Sequence, residues 1–328
     1  MAVVTRAPFD AVLIVAFGGP QGLADIRPFL ANVLRGRRVS PERIEEVAKH
    51  YERFGGVSPL TEITRRQADG LRASLSRRGL DVPVYVGMRN WHPLLPDTLG
   101  AMARDGVRRA VGFLCAAQRS YSSCTQYKQN VMDGRGGVVA AGLPDVEITY
   151  VGDWHTDEGF IETNARHARA AIASLPLPVR STARLVFTAH SIPVSMDGVV
   201  RYQQQLRESA RLVADRVGTA DWALVFQSRS GRPGDPWLEP DVCEYLRTER
   251  AAGLQAAVLC PIGFICDHIE VLYDLDVEAA EAARAVGLPM ARAEAVNDDP
   301  AFVEMMADVV MATWTRYARG VPLPIVPA

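Results

Sequence analysis

The chain has 328 residues, an apolar fraction of 48% and a formal charge of -2. That length can bury a large core and accommodates two domains of ordinary size, and the near-neutral balance gives no global field for nucleic acid or an anionic membrane. Five cysteines, an odd number with no C-x-x-C, argue against a disulfide framework.

In chain order, the first apolar run is AVLIVAF (11–17). It is too short for a signal-peptide core, and no A-x-A site follows it. No later run reaches the length of a membrane span. The expectation is a cytoplasmic protein with no export and no membrane insertion. Three further runs follow in the first half: VPVYVGM (82–88), AVGFLCA (110–116) and EITYVGD (147–153). Their continuous rather than alternating apolar character predicts strands buried on both faces, hence a parallel sheet. Helical patterns between them, such as PLTEITRRQADGLRASLSRRG and LPDTLGAMARDG, predict βαβ units.

The second half repeats this grammar with ARLVFTAH (183–190), WALVFQS (222–228), QAAVLCPIG (255–263) and MARAEAV (290–296). AFGGP corresponds to TAHSIP, VGMRNWHP to FQSRSGRP, and GDWHTDEGFIE to VNDDPAFVE. The fold expected is therefore α/β: two similar doubly wound, Rossmann-like domains with parallel sheets and a cleft between them. The division falls at 1–160 and 161–328, with 154–175 as a crossing helix and SLPLPVRST (174–182) as linker. One large irregular sheet is the competing arrangement. Ligands of open parallel sheets bind beyond the carboxyl ends of strands. That directs attention to 17–20, 89–93, 115–127, 190–193, 228–237 and 261–270.

Several of these stretches have a chemical reading beside a bland one. AFGGPQG could cradle a phosphate, but it lacks G-x-G-x-x-G spacing and a Walker lysine, so a tight turn explains it better. That disfavours a nucleotide-binding oxidoreductase. His190 ends a predicted strand at the cleft edge, unlike His50, His92, His155 and His167, which read as structural or surface residues. Glu270, Asp274 and Glu278 are spaced i, i+4, i+8 and form one acidic line on a helix. A solvated face is the bland account. Mutual repulsion would be relieved by a divalent cation, for which carboxylates and a neutral imidazole are suitable ligands. Cys266 and His268 are expected to pack or support. SYSSCTQY, with Tyr121 and Tyr127, suits hydrogen bonding to a carboxylated ligand, or is an ordinary polar loop. The long stretch 31–60 reads as a lid, with Arg35, Arg37 and Arg38 supplying positive charge. Four of the cysteines, Cys115, Cys124, Cys260 and Cys266, fall near one crevice, but their spacing is typical of neither zinc nor an iron–sulfur cluster.

FGGVSPL, TAHSIP, QSR…WLEPD and GF-x-x-DH-x-E, in this order and spacing, resemble the ferrochelatases over nearly the whole chain. FLANVLRGRRVSPERIEEVAKHYERFGG, SYSSCTQY and HIEVLYDLDVEA look most like the bacterial branch that metallates coproporphyrin III. The resemblance implies two chelatase-type domains around a porphyrin cleft, ferrous iron as a substrate, and no tightly bound cofactor. His190 and Glu270 resemble the catalytic pair that binds the metal. Asp274 and Glu278 resemble an outer acidic relay, and Ser58 and Tyr127 resemble contacts to the porphyrin propionates. Arg89, Asn90 and Trp91 fall in the second strand-end loop of the family. Phe17 stands where some relatives carry a metal-ligating tyrosine, and His50 where some carry an arginine. A [2Fe-2S] cluster is not expected, because the chain ends in RYARGVPLPIVPA without cysteines. The implied partners are the porphyrin, Fe2+ and, transiently, neighbouring enzymes of haem synthesis. Insertion into protoporphyrin IX, chelation of cobalt by sirohydrochlorin, and non-catalytic storage of haem or iron are the alternatives.

Overall fold

A computed structural model describes residues 7–36, 39–230 and 234–320. Arg37, Arg38 and the C-terminal VPLPIVPA, on which parts of the sequence reading rest, lie outside the described residues. Two four-stranded sheets form, both wholly parallel. The first comprises β1 (Ala11–Ala16), β2 (Val84–Met88), β3 (Arg109–Leu114) and β4 (Glu147–Tyr150) in the order β2-β1-β3-β4. The second comprises β5 (Ala183–His190), β6 (Trp222–Gln227), β7 (Ala256–Cys260) and β8 (Met290–Arg292) in the order β6-β5-β7-β8. The two orders are the same strand for strand, as the duplicated grammar of the sequence predicts. Every residue of β1 and β7 is buried, which is why their apolar runs do not alternate.

The helices of the first half are α1 (Ile26–Val33), α2 (Pro41–Arg53), α3 (Leu60–Arg77), α4 (Leu95–Arg104), α5 (Gln126–Ala140) and α6 (Glu158–Ser174). Those of the second are α7 (Val199–Val217), α8 (Val242–Ala251), the short α9 (Ile269–Val271), α10 (Ala280–Ala285) and α11 (Pro300–Ala318). Between α9 and α10 the chain is π-helical over Leu272–Ala279. Helix starts follow local chemistry. Ser40 caps α2 by accepting from the Arg43 amide at 3.3 Å, and Asp157 and Asp299 cap α6 and α11. Pro41 and Pro300 occupy first turns, where no amide donor is needed.

The halves interlock. Helices α3, α6, α7 and α11 form a layer between the sheets, and one continuous core runs from Val12 and Phe113 through Phe160, Leu206 and Phe302 to Phe187 and Val258. α6 packs on β7 and β8, while α11 returns to pack on α3 and β3. The 160/161 division therefore falls inside a helix whose packing partners are mostly in the second half. A polar seam ties α3 to α11 and the turn before it: Arg66 forks onto Asp298 at 2.7 and 3.0 Å, and Ser74 donates to Glu304 in α11 at 2.7 Å. Outer cores, one with α4 and α5 and another with α8, the π-helical segment and α10, cover the remaining faces.

The approach of α6 to α11 requires a residue without a side chain. A Cβ at Gly159 would lie 2.5 Å from Met305 Cβ and 3.0 Å from the Ala301 carbonyl. Gly137 in α5, by contrast, has nothing within 4 Å of that position. Gly159→Ala should therefore destabilise by about 1–3 kcal/mol through overpacking. Gly137→Ala should stabilise by about 0.5–1 kcal/mol through helix propensity. Urea unfolding of both variants checks the opposite signs.

Candidate active site

His190 is the last residue of β5, and its neighbours hold it from several sides. Its carbonyl accepts from the Tyr202 hydroxyl at 3.1 Å. The Ser191 amide donates to Gln227 at 2.8 Å, and the Ser191 hydroxyl to Leu238 at 2.8 Å. The ring is oriented by a 2.5 Å contact between Nδ1 and the Ser191 carbonyl. A carbonyl can only accept, so Nδ1 carries a hydrogen, and in the neutral ring the lone pair then lies on Nε2.

Glu270 arrives on the loop after β7. The Gly263 amide donates to the Thr188 carbonyl at 3.1 Å, and a Cβ at Gly263 would fall 2.6 Å from that of Ala189. The loop thus lies directly on the strand that ends in His190. Its far end is pinned by Asn297, which takes a left-handed φ of 48°. The Asn297 side chain accepts from the Asp267 amide and donates to the Asp267 carboxylate, both at 2.8 Å, while Arg292 donates to the same carboxylate at 2.9 Å. His268, next in sequence, lies in the electrostatic field of both Glu270 and His190, and burial pushes its pKa down, leaving it neutral. Cys266 is buried and accepts from Gln67 at 3.4 Å, a packing role as expected.

Asp274 and Glu278 follow Glu270 into the π-helical segment, not into the α-helix assumed from the spacing. The turn is wider than the 3.6 residues of an α-helix, so it suits an i, i+4, i+8 file. Asp274 is held by the Ser228 hydroxyl and by Gln227 Nε2 at 3.2 Å. Ser228 itself adopts a left-handed φ of 60°. Burial, and beyond it the charges of Glu270 and Glu278, push the Asp274 carboxyl up to about 7 despite the opposing hydrogen bond from Ser228. Glu278 is exposed at the outer end of the line.

Helix α2, within the stretch 31–60 read as a lid, packs near this line together with α1. Ile26, Phe29, Leu30, Ala48 and Tyr51 of α1 and α2 form a small core together with Ile269. His50 stacks on Tyr273 with ring centres 3.6 Å apart and planes 11° from parallel. Tyr51 is buried, and its pKa is raised by burial first and then by Glu270 and Asp274. Arg35 is exposed and donates to Asn32 at 2.7 Å. Phe17 meets Phe29 edge-on at 6.3 Å, and Asn90 donates through its backbone and side chain to the Phe17 carbonyl at 3.0 and 3.2 Å. Trp91 Nε1 donates to Asp25 at 3.2 Å.

The AFGGP segment is a tight turn. Gly18 has a φ of 86° with the Trp91 amide 2.9 Å from a Cβ position, and Gly19 would put a Cβ 2.5 Å from that of Ser58. Ser58 is thereby covered, at 3% exposure, and Tyr127 at 6% packs in the outer core of the first sheet. Sequence reasoning did not assign roles to Gln227, Ser228, Tyr51 or Tyr273. QSR was visible as a strand-end motif, whereas the stacking of His50 on Tyr273 has no sequence signal. Among the described residues, no three His, Cys, Asp or Glu side chains are placed to hold a metal ion by themselves.

The Asp274 carboxyl yields a prediction with a definite sign. Its folded-state pKa lies above the ordinary 3.8, so the protonated form favours the fold. That contribution is complete below about pH 4 and is lost as pH rises through about 7. Asp274→Asn should gain stability relative to the unmodified protein as pH rises across that window. Urea unfolding at intervals from pH 4 to 8 measures it, and a pH-independent difference would refute the assignment.

The family model described as Ferrochelatase matches residues 9–313. A "Ferrochelatase" of Rhodopirellula baltica is 46% identical over 304 residues, covering 92% of this chain and 86% of that protein. A "Coproporphyrin III ferrochelatase" of Streptomyces coelicolor is 43% identical, covering 94% and 86%, and one of Mycolicibacterium smegmatis is 44% identical, covering 92% and 89%. Among solved structures, SirB from Bacillus subtilis with Fe3+ superposes with a TM-score of 0.57 at 12% identity, covering 94% of this chain and 97% of that one, which is a likeness of fold. The chain belongs to the ferrochelatase family.

Proposed function

We propose that this chain inserts ferrous iron into coproporphyrin III to give coprohaem, with release of two protons, as a step of haem synthesis. The observation that carries the chemistry is the His190 ring held through Nδ1 by the Ser191 carbonyl, on a strand against which the Glu270 loop is laid. The substrate assignment follows relatives named coproporphyrin III ferrochelatases at 43–46% identity over 92–94% of this chain.

In this reading His190 and Glu270 hold the incoming Fe2+ and, as it passes to the pyrrole nitrogens and frees them, accept the two displaced pyrrole protons. Two protein ligands leave an ion under-coordinated, so the pyrrole nitrogens complete the set and draw the metal off the protein. Asp274, titrating near neutrality, takes protons onward to the exposed Glu278. Ser58 and Tyr127 bind propionates in this reading only after the AFGGP turn and the outer core that cover them have shifted. The functional halves are 1–160, with the lid, and 161–328, with the metal pair.

Iron is substrate here, and no tightly bound cofactor or [2Fe-2S] cluster is part of the proposal. Burial pushes Cys260 and Cys266 up to about 12 and Cys115 well above its ordinary value, which opposes the thiolate form that a cluster ligand needs. All five cysteines are free thiols, in keeping with a reducing cytoplasm, where transient contact with the preceding and following enzymes would occur. No described helix is long and apolar enough to cross a membrane.

Two measurements test the proposal. Anaerobic iron insertion into coproporphyrin III should exceed insertion into protoporphyrin IX assayed side by side, and the reverse order would overturn the substrate assignment. His190→Ala should fold normally by circular dichroism yet lose roughly 10²–10⁴-fold in insertion rate. Substantial metallation by that variant would remove His190 from the reaction.

A further inference from the structure

Arg292, the last residue of β8, reaches two carboxylates that stand on either side of Glu270 in the chain. Its Nη1 donates to Asp267 at 2.9 Å and its Nε to Asp276 at 2.6 Å. Asp267 lies in the loop after β7, three residues before Glu270, and Asp276 lies inside the π-helical segment, two residues after Asp274. The guanidinium therefore joins the approach to this segment with its interior. The stretch that carries Glu270 and Asp274 cannot slide along its own axis without breaking one of the two bonds.

The π-helical turn is tethered from opposite edges of one sheet. In the order β6-β5-β7-β8, Gln227 and Ser228 at the end of β6 hold Asp274, and Arg292 at the end of β8 holds Asp276. Side chains two residues apart on a helical turn point to nearly opposite sides, so the two grips act on opposite faces of the same turn. A π-helical register is rare and tends to occur at functional sites, and here the tethers span the widened turn.

The strength of the grip differs along its length. The side chains of Arg292 and Asp267 are 14% and 12% exposed, so their ion pair is largely shielded from water, whereas Asp276 is 39% exposed. Charge-assisted bonds from the planar guanidinium fix direction as well as distance. Asp267 is held a second time by Asn297 at 2.8 Å, which leaves the bond to Asp276 as the one through which Arg292 acts on the turn itself.

We propose that Arg292 is a positioning residue for iron insertion: by gripping Asp267 and Asp276 it keeps the π-helical turn in register and so sets where Glu270 and Asp274 stand. Its part in insertion rests on the function proposed above, whereas the grip on the turn does not.

Two full-chain variants test this, Arg292→Gln and Asp276→Asn. The second removes only the exposed end of the grip and keeps the buried Arg292–Asp267 pair, so it folds whatever becomes of the first. Hydrogen exchange followed by mass spectrometry should show the amides of 269–279 exchanging about tenfold faster in both, with β5 and α7 unchanged. In anaerobic insertion into coproporphyrin III, the KM for Fe2+ should rise about tenfold while the KM for the porphyrin stays the same. The double variant should lose no more than Arg292→Gln alone, because both changes break one bond. Unchanged exchange of 269–279 in Asp276→Asn, a joint rise of both KM values, or additive losses in the double variant would each overturn the proposal. Failure of the unmodified chain to metallate either porphyrin would overturn the function proposed above instead, and the exchange measurement would still decide whether Arg292 holds the turn.

Discussion

The contact between Gly263 and Ala189 is what the rest of the site depends on. A parallel sheet delivers strand ends to one edge but does not by itself bring the loop of one strand onto its neighbour. Here the Gly263 amide reaches the Thr188 carbonyl, with no space for a side chain between the two backbones. That approach sets the height of the whole 261–270 loop above the sheet. Asp267, Asn297 and Arg292 then fix its other end, so the loop has two anchors and little freedom between them. Glu270 inherits its position from both anchors, and His190 inherits its ring orientation from a carbonyl one residue away.

The acidic file builds on this anchoring in a different way. A carboxylate below another carboxylate is unfavourable, and burial makes it worse. The structure relieves the strain by protonation and hydrogen bonding instead of by a permanent cationic partner for Asp274: Ser228 and Gln227 donate to it, and its pKa rises to about 7. A basic side chain placed there would have removed the repulsion and also closed the line to a cation. The left-handed backbone of Ser228 is the local cost of aiming its hydroxyl at Asp274. Tyr51 and the His50–Tyr273 stack bring α2 against the same segment.

How much of this was legible in the sequence depends on whether the signal is local. Apolar runs located all eight strands, most plainly the central β1 and β7, where a strand buried on both faces writes its burial into its own residues, and less plainly the partly exposed edge strands β4 and β8. That the two sheets share one topology followed from the correspondence of the halves, whereas the strand order itself had no sequence signal. The helix that carries Asp274 was foreseen as a helix, but its π-turn was not, because hydrogen-bond register leaves no periodic mark over so short a segment. The packing of α6 and α11 across the halves was also hidden. It shows only in glycines such as Gly159, whose meaning depends on Met305, well over a hundred residues away. Ser58 and Tyr127 were read as groups facing a ligand, and their near-complete covering reflects the docking of AFGGP and the outer core, both long-range events.

The interlocked halves bear on why the proposed metal pair can work at all. His190 and the Glu270 loop both belong to the second sheet, so their relation survives small movements between the halves. The lid and Ser58 belong to the first, and the helical layer between the sheets is cemented by an apolar core together with the α3–α11 ion-pair seam. Motion needed to admit a macrocycle is therefore best taken up by α1 and α2, whose small core with Ile269 is separate from the three large ones. Breaking that minor cluster exposes far less apolar surface than parting the sheets would, so opening at the lid is the less costly route. In the proposed reaction, a metal pair anchored on the second sheet beneath a separately packed α1–α2 unit would let a substrate come and go while the geometry that acts on it stays fixed.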